Sequence, residues 1–157
     1  MSRSRLVAVA AAFAIAAAVA GPGVALPAQA ATCSGASCNL LDPHATGCDA
    51  KVKNLDDRTA NGVRFELRYS SICDAAWVRY TLQNRGTGPD EIAIEKLVKP
   101  PYRSAYWIIA SSVRADISTS GWTKMVGGTA SNTLQVRGML NPRCCVTSIW
   151  RTSSFSI

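Results

Sequence analysis

From Gly62 to Leu82 apolar and polar positions alternate twice, with Cys73 between the two runs. Val63, Phe65, Leu67 and Tyr69 fall on one side of a strand, and Ala76, Val78, Tyr80 and Leu82 on one side of the next, because strand side chains alternate with a period of two. Pairing the runs antiparallel, with residue numbers that sum to about 145, sets apolar against apolar along their whole length. That register puts Leu67 opposite Val78 and Phe65 opposite Tyr80. On the other face it puts Glu66 opposite Arg79, and Arg68 opposite Trp77. The charged face therefore accounts for itself as an ion pair and a cation beside an aromatic ring, each worth ~0.2–1 kcal/mol at an exposed site.

Further short strands are predicted at Glu91 to Leu97, Tyr106 to Ile109, Ser112 to Ile117, Trp122 to Val126, Thr133 to Arg137 and Val146 to Trp150. Turn residues separate them: the run Asn84 to Asp90, Lys99-Pro100-Pro101, Gly127-Gly128 and Asn141-Pro142. No window sustains the spacing of an amphipathic helix longer than two turns. The stretch Thr32 to Asp57 has little periodicity and reads as a loop-rich segment, and Arg151 to Ile157 as a last edge strand or a frayed end. The pattern predicts an all-β fold, a small disulfide-stabilised barrel or sandwich of short antiparallel strands with a loop-rich N-terminal segment.

The first thirty residues change the compartment expected. Arg3 and Arg5 precede an apolar run from Leu6 to Ala20, followed by Gly21-Pro22-Gly23 and the small-residue site Ala28-Gln29-Ala30. This is the pattern of a cleavable secretory signal peptide, and the run is shorter than the ~20 residues that cross a bilayer. Residues 1–30 are therefore read as a leader and 31–157 as a single secreted domain, with no transmembrane anchor. Cleavage also removes two of the 17 basic residues and lowers the formal charge from +7 to +5. The remaining excess makes a basic protein, but without a basic run and with acids interspersed it suggests a solvated surface and no specific nucleic acid.

All six cysteines, Cys33, Cys38, Cys48, Cys73, Cys144 and Cys145, lie in the mature part. An even number in an exported chain argues for disulfides over catalysis or metal. Excluding a bond between the adjacent Cys144 and Cys145 leaves about 12 of the 15 possible pairings. A zinc site would recruit Cys33, Cys38, Cys48 and His44, but no second compact ligand pair completes a finger or ribbon, so neither metal nor cofactor is expected.

Catalytic signatures are sparse. The sole histidine, His44, sits among turn formers in Asp42-Pro43-His44-Ala45-Thr46-Gly47-Cys48 and reads as a surface loop residue. Neither Gly-x-Ser-x-Gly nor His-Glu-x-x-His occurs. A small secreted ribonuclease would use Glu66, Arg64, Arg68, Arg79 and His44, but nothing in the sequence brings His44 to that strand face. Glu91 with Glu95, or Asp56 with Asp57, could be nominated as a glycosidase pair, which needs carboxylates about 5–10 Å apart. No catalytic residue is assigned. The binding face to consider is Arg64, Glu66, Arg68, Trp77 and Arg79. For Trp107, Trp122 and Trp150 core packing is the expectation, while Tyr102 and Tyr106 could join a contact surface.

The chain resembles the YjfA-like family of secreted Gram-positive proteins, mainly actinobacterial, a domain of unknown function. The resemblance is carried by Cys33-Ser-Gly-Ala-Ser-Cys38, Asp42-Pro43 and Gly47-Cys48-Asp49-Ala50. It continues through Val63-Arg64-Phe65-Glu66-Leu67-Arg68-Tyr69-Ser70, Cys73 and Ala75-Ala76-Trp77-Val78-Arg79. It implies export, disulfides and a β-fold, with no assigned activity or ligand. It also implies that Cys48, Cys73 and Trp77 form one structural unit, which favours a covered Trp77; three bridges are expected, with Cys73 bonded into the N-terminal segment and Cys48 taken as its partner.

The function expected from these observations is a secreted, disulfide-stabilised, non-catalytic protein that binds a cell-wall polymer or an extracellular protein. Two alternatives stand beside it. One is a small secreted hydrolase such as a ribonuclease. The other is a secreted inhibitor or partner binder that uses an exposed segment around Lys99 to Arg103.

Overall fold

The structure, a computed structural model, describes residues 30–60, 62–83, 89–115, 119–129, 132–140, 147–152 and 154–156. Residues 1–29, which hold nearly all of the leader expected at 1–30, and the pair Cys144 and Cys145 lie outside the described residues. Two antiparallel sheets make up the domain, and they do not close into a barrel. The first contains β1 (Lys53–Ala60), β2 (Val63–Ser70), β3 (Ala75–Leu82) and β6 (Ser120–Trp122) in that order, with the short β7 (Val126–Gly127) also paired to β3. The second runs β10 (Phe155–Ser156), β8 (Thr133–Leu140), β4 (Glu91–Val98), β5 (Tyr106–Arg114), with β9 (Thr147–Arg151) paired to β8.

The predicted hairpin is present in the predicted register. Val63 pairs with Leu82, Phe65 with Tyr80, Glu66 with Arg79, Leu67 with Val78 and Arg68 with Trp77. Its apolar face supplies Val63, Phe65, Leu67, Ala76, Val78 and Tyr80 to a core completed by Ile92, Ile94, Leu134 and Val136 of the other sheet. Burying one such side chain is worth ~1.5–3 kcal/mol, so this face fixes the register, because a one-residue slip would turn every apolar group into water.

Three expectations need correction. The N-terminal loop was expected to run to Asp57, yet β1 begins at Lys53. Its sequence KNLDDRTA lacks alternation because the strand lies at a sheet edge with much of its surface in water, where charge is what discourages further strand pairing. The two strands expected between Tyr106 and Ile117 are one strand, carried past a break in the ladder by a bulge opposite Ile94 and Glu95. The strand expected from Trp122 to Val126 is instead split into β6 and β7, which flank Thr123. Thr123 is fully buried, and its hydroxyl accepts a hydrogen bond from Val78 N at 3.1 Å. The tail forms the edge strand β10 on β8.

Residues 30–52 contain two short 3-10 turns, Gly35–Cys38 and Cys48–Ala50, and cover one end of the outer face of the first sheet. Backbone bonds fasten them: Gly35 N donates to Cys73 O at 2.7 Å, Leu40 N to Met125 O at 2.9 Å, and Met125 N to Leu41 O at 3.0 Å. Gly127 is required at this seam, because a Cβ there would be driven into the carbonyl of Gly35. Beneath the cover Cys38, Cys48, Cys73, Ala75, Trp77 and Met125 form a second small core.

Candidate functional site

The outer face of the first sheet carries a transverse row of side chains. Asp57 on β1 pairs with Glu66 on β2, Glu66 with Arg79 on β3, and Arg79 with Trp122 on β6. Residues paired across adjacent strands share a face, so the four strands present Asp57, Glu66, Arg79 and Trp122 in one line.

Most of the charge in the row is neutralised within it. Arg68 Nη2 reaches both Glu66 carboxylate oxygens at 3.1 Å, and Arg79 Nη1 lies 3.5 Å from Glu66 Oε2. Asn54 Nδ2 donates to Glu66 Oε1 at 3.3 Å. Arg64 donates to both oxygens of Asp57, at 3.2 and 3.0 Å, and this hydrogen bonding holds the Asp57 carboxyl below its ordinary range while raising the guanidinium further. Glu66 is thus committed to two arginines and an amide. Arg68 lies opposite Trp77 as expected, but its guanidinium goes to Glu66.

Trp77 shares this face by register and is only 1% exposed. It is not part of any accessible surface, because the disulfide-bearing segment lies over it. Bridges join Cys33 to Cys38 and Cys48 to Cys73. The second is the pairing expected for Cys73, and it ties the cover to the turn that follows β2.

Sequence reasoning missed the far end of the row. Core packing was expected of Trp122, but the residue is 39% exposed. Its indole is nonetheless fixed in place. Nε1 donates to Asp42 Oδ2 at 3.1 Å, and the His44 ring meets it edge-on with centroids 4.3 Å apart. His44, a loop residue that nothing in the sequence brought to the strands, is therefore at their surface, where its Nδ1 contacts Asp49 Oδ2. Asp42 organises the corner. Its Oδ1 accepts from the backbone N–H groups of His44 and Ala45, and Lys124 Nζ lies 3.2 Å from Oδ2. Burial alone would raise the Asp42 carboxyl, but bonds from Trp122, Ala45, Lys124 and His44 outweigh it and bring the pKa to about 2. The only advance signal was Asp42-Pro43-His44, an Asx-turn sequence, which says nothing about a partner 80 residues away.

The nominated carboxylates each have basic partners or lie apart. Glu91 and Glu95 are four residues apart on one strand, or roughly 13 Å along it. Glu95 is also buried on the other sheet, between Arg137 at 2.9 Å and Arg151 at 3.1 Å, and accepts from Gln135. Asp56 is bound to Arg58, and Asp57 to Arg64.

These features define an all-β domain of two antiparallel sheets with a disulfide-clamped cover and an open polar-aromatic face. The chain belongs to the family described as "Protein of unknown function (DUF2690)", which matches residues 36–136. No curated protein and no solved structure matches it.

Proposed function

We propose that the protein is a secreted, non-catalytic binding protein whose outer sheet face takes a polymer of the cell envelope, with Trp122 as the stacking platform. The observation that carries this reading is Trp122 itself: a large aromatic left partly open, locked by Asp42 and His44, and in line with the half-exposed Arg79. A fixed aromatic loses little freedom when a sugar ring stacks on it, and neighbouring charged groups can bond ring hydroxyls or phosphates. The row runs across the strands, which suits an extended chain better than a compact ligand. Export is supported by the signal-peptide pattern, by two disulfides, and by the absence among the described residues of any helix long and apolar enough to cross a membrane. The finer assignment to YjfA-like proteins of Gram-positive bacteria belongs to the same proposal.

The test is sedimentation of oxidised mature protein with purified cell walls. Trp122→Ala is expected to weaken binding about tenfold or more, and Arg79→Ala less. Unchanged binding in both would sink the reading. The hydrolase alternative is addressed by digestion assays on RNA and peptidoglycan with Glu66→Gln and His44→Ala; turnover lost in both variants would overturn a non-catalytic role.

A second reading, partner binding, is favoured by a separate ledge. Tyr102 is 96% exposed on the Lys99 to Arg103 segment, which leads into Tyr106 and Ile109 of the edge strand β5, 51% and 46% exposed. Protection of this segment from proteolysis by a co-purifying extracellular protein would favour it over polymer binding.

A further inference from the structure

The sulfur atoms of Cys33, Cys38, Cys48 and Cys73 all lie within 4.8 Å of one another. They come from separate pieces of chain, namely the two 3-10 turns with their flank and the turn between β2 and β3. We propose that this cluster is a latent soft-metal site: with both bridges reduced, the four thiolates hold one Zn2+ tetrahedrally.

The geometry supports this in three ways. A zinc tetrathiolate with Zn–S of about 2.3 Å has sulfur–sulfur edges of about 3.8 Å. The gap between Cys33 Sγ and Cys48 Sγ, which are not bonded to each other, is 3.7 Å. Reduction then needs only to let each bonded pair move apart to that same spacing. The pieces that carry the ligands are also fastened independently of sulfur, by the backbone bonds from Gly35 to Cys73 and between Leu40–Leu41 and Met125. Finally, Trp77, Met125 and Ala75 wall the cluster from water on one side, while Cys33 is partly open and gives an ion and a reductant access. The zinc reading set aside in the sequence would have used His44 as its fourth ligand. The fold supplies Cys73 instead and places His44 against Trp122 and Asp49.

The exchange balances with a dithiol reductant. Two dithiols give up four electrons and become two disulfides, both protein bridges open, and Zn2+ replaces the four thiol protons, which leave to solvent. The covered end of the sheet can therefore be clamped by two disulfides under oxidising conditions or by one metal ion under reducing ones.

The test uses Co2+ as a spectroscopic probe on protein reduced anaerobically with a phosphine, in a Cys144→Ser/Cys145→Ser background and in the unsubstituted chain. One equivalent of Co2+ is expected to give the visible absorption of a tetrahedral tetrathiolate, to be displaced by Zn2+, and to restore the shielding of Trp77 from quenchers. Cys48→Ser should shift the spectrum and weaken uptake at least tenfold. Failure of the reduced protein to take up one equivalent in either background would overturn the proposal. So would uptake that Cys48→Ser leaves unchanged, or metal uptake without recovery of Trp77 shielding.

Discussion

Trp122 Nε1 donates to Asp42 Oδ2 at 3.1 Å, joining the loop before the 3-10 turn of Cys48 to the short strand β6 at the end of the first sheet, 80 residues further on. This bond makes an exposed indole rigid, and it ties the orientation of the candidate platform to the ionisation of one carboxylate. The folded-state pKa of Asp42 is about 2, depressed from 3.8. A depressed carboxyl contributes stability that is fully present above its unfolded value and is lost as pH falls through the folded one. The corner should therefore hold at neutral pH and loosen between about pH 4 and pH 2. The indole N–H resonance of Trp122, followed by NMR through an acid titration, is expected to move in that window, and Asp42→Asn should abolish the dependence. A resonance that moves identically in both proteins would contradict the assignment.

Glu66 and Arg79 are paired across strands, but their losses should differ. Arg68 is largely buried and its Nε has no hydrogen-bond partner among the described residues, so its charge leans on Glu66. Glu66→Gln is expected to cost ~1–2 kcal/mol in urea unfolding, as for a lost hydrogen bond to a charged group. Arg79 is half exposed at 3.5 Å from the same carboxylate, and Arg79→Ala should cost no more than ~0.5 kcal/mol. Equal costs would mean that the row is not organised around Glu66.

The two bridges should contribute unequally. Cys48 and Cys73 are 25 residues apart and Cys33 and Cys38 only 5. On the chain-entropy account the longer loop is worth about 3.5 kcal/mol and the shorter about 2 kcal/mol. Replacing Cys48 and Cys73 by alanine should also expose Trp77 to acrylamide, whereas replacing Cys33 and Cys38 should leave it mostly shielded. Thermal unfolding and quenching on the two double variants check both statements.

On the second sheet Glu95 is 2% exposed and serves Arg137, Arg151 and Gln135 together. Glu95→Ala leaves two arginine charges facing each other without their counterion, and a loss of ~3–5 kcal/mol is expected in denaturant unfolding. A change below 1 kcal/mol would show that solvent reaches this network freely.

The β2–β3 hairpin was legible because its information is local. Two alternating runs, a short turn and matching apolar faces determine the register without reference to the rest of the chain. β1 was not legible, since an edge strand need not alternate, and Lys53 to Ala60 carries the charge that suits an edge instead. The bulge that makes one strand of Tyr106 to Arg114 was equally hidden, because it depends on how β4 lies beside it.

By itself the sequence determined the all-β class, the pairing of Glu66 with Arg79, and the bonding of cysteines in disulfides, all consequences of periodicity and composition. Only the tertiary structure decided that His44 and Asp42 hold Trp122, that Trp77 is sealed, and that four sulfurs meet in one place. Those contacts join residues up to 80 positions apart, and their formation depends on which loop packs over which end of a sheet. Side-chain alternation sets the faces of a strand. It carries no information about what will come to rest on them.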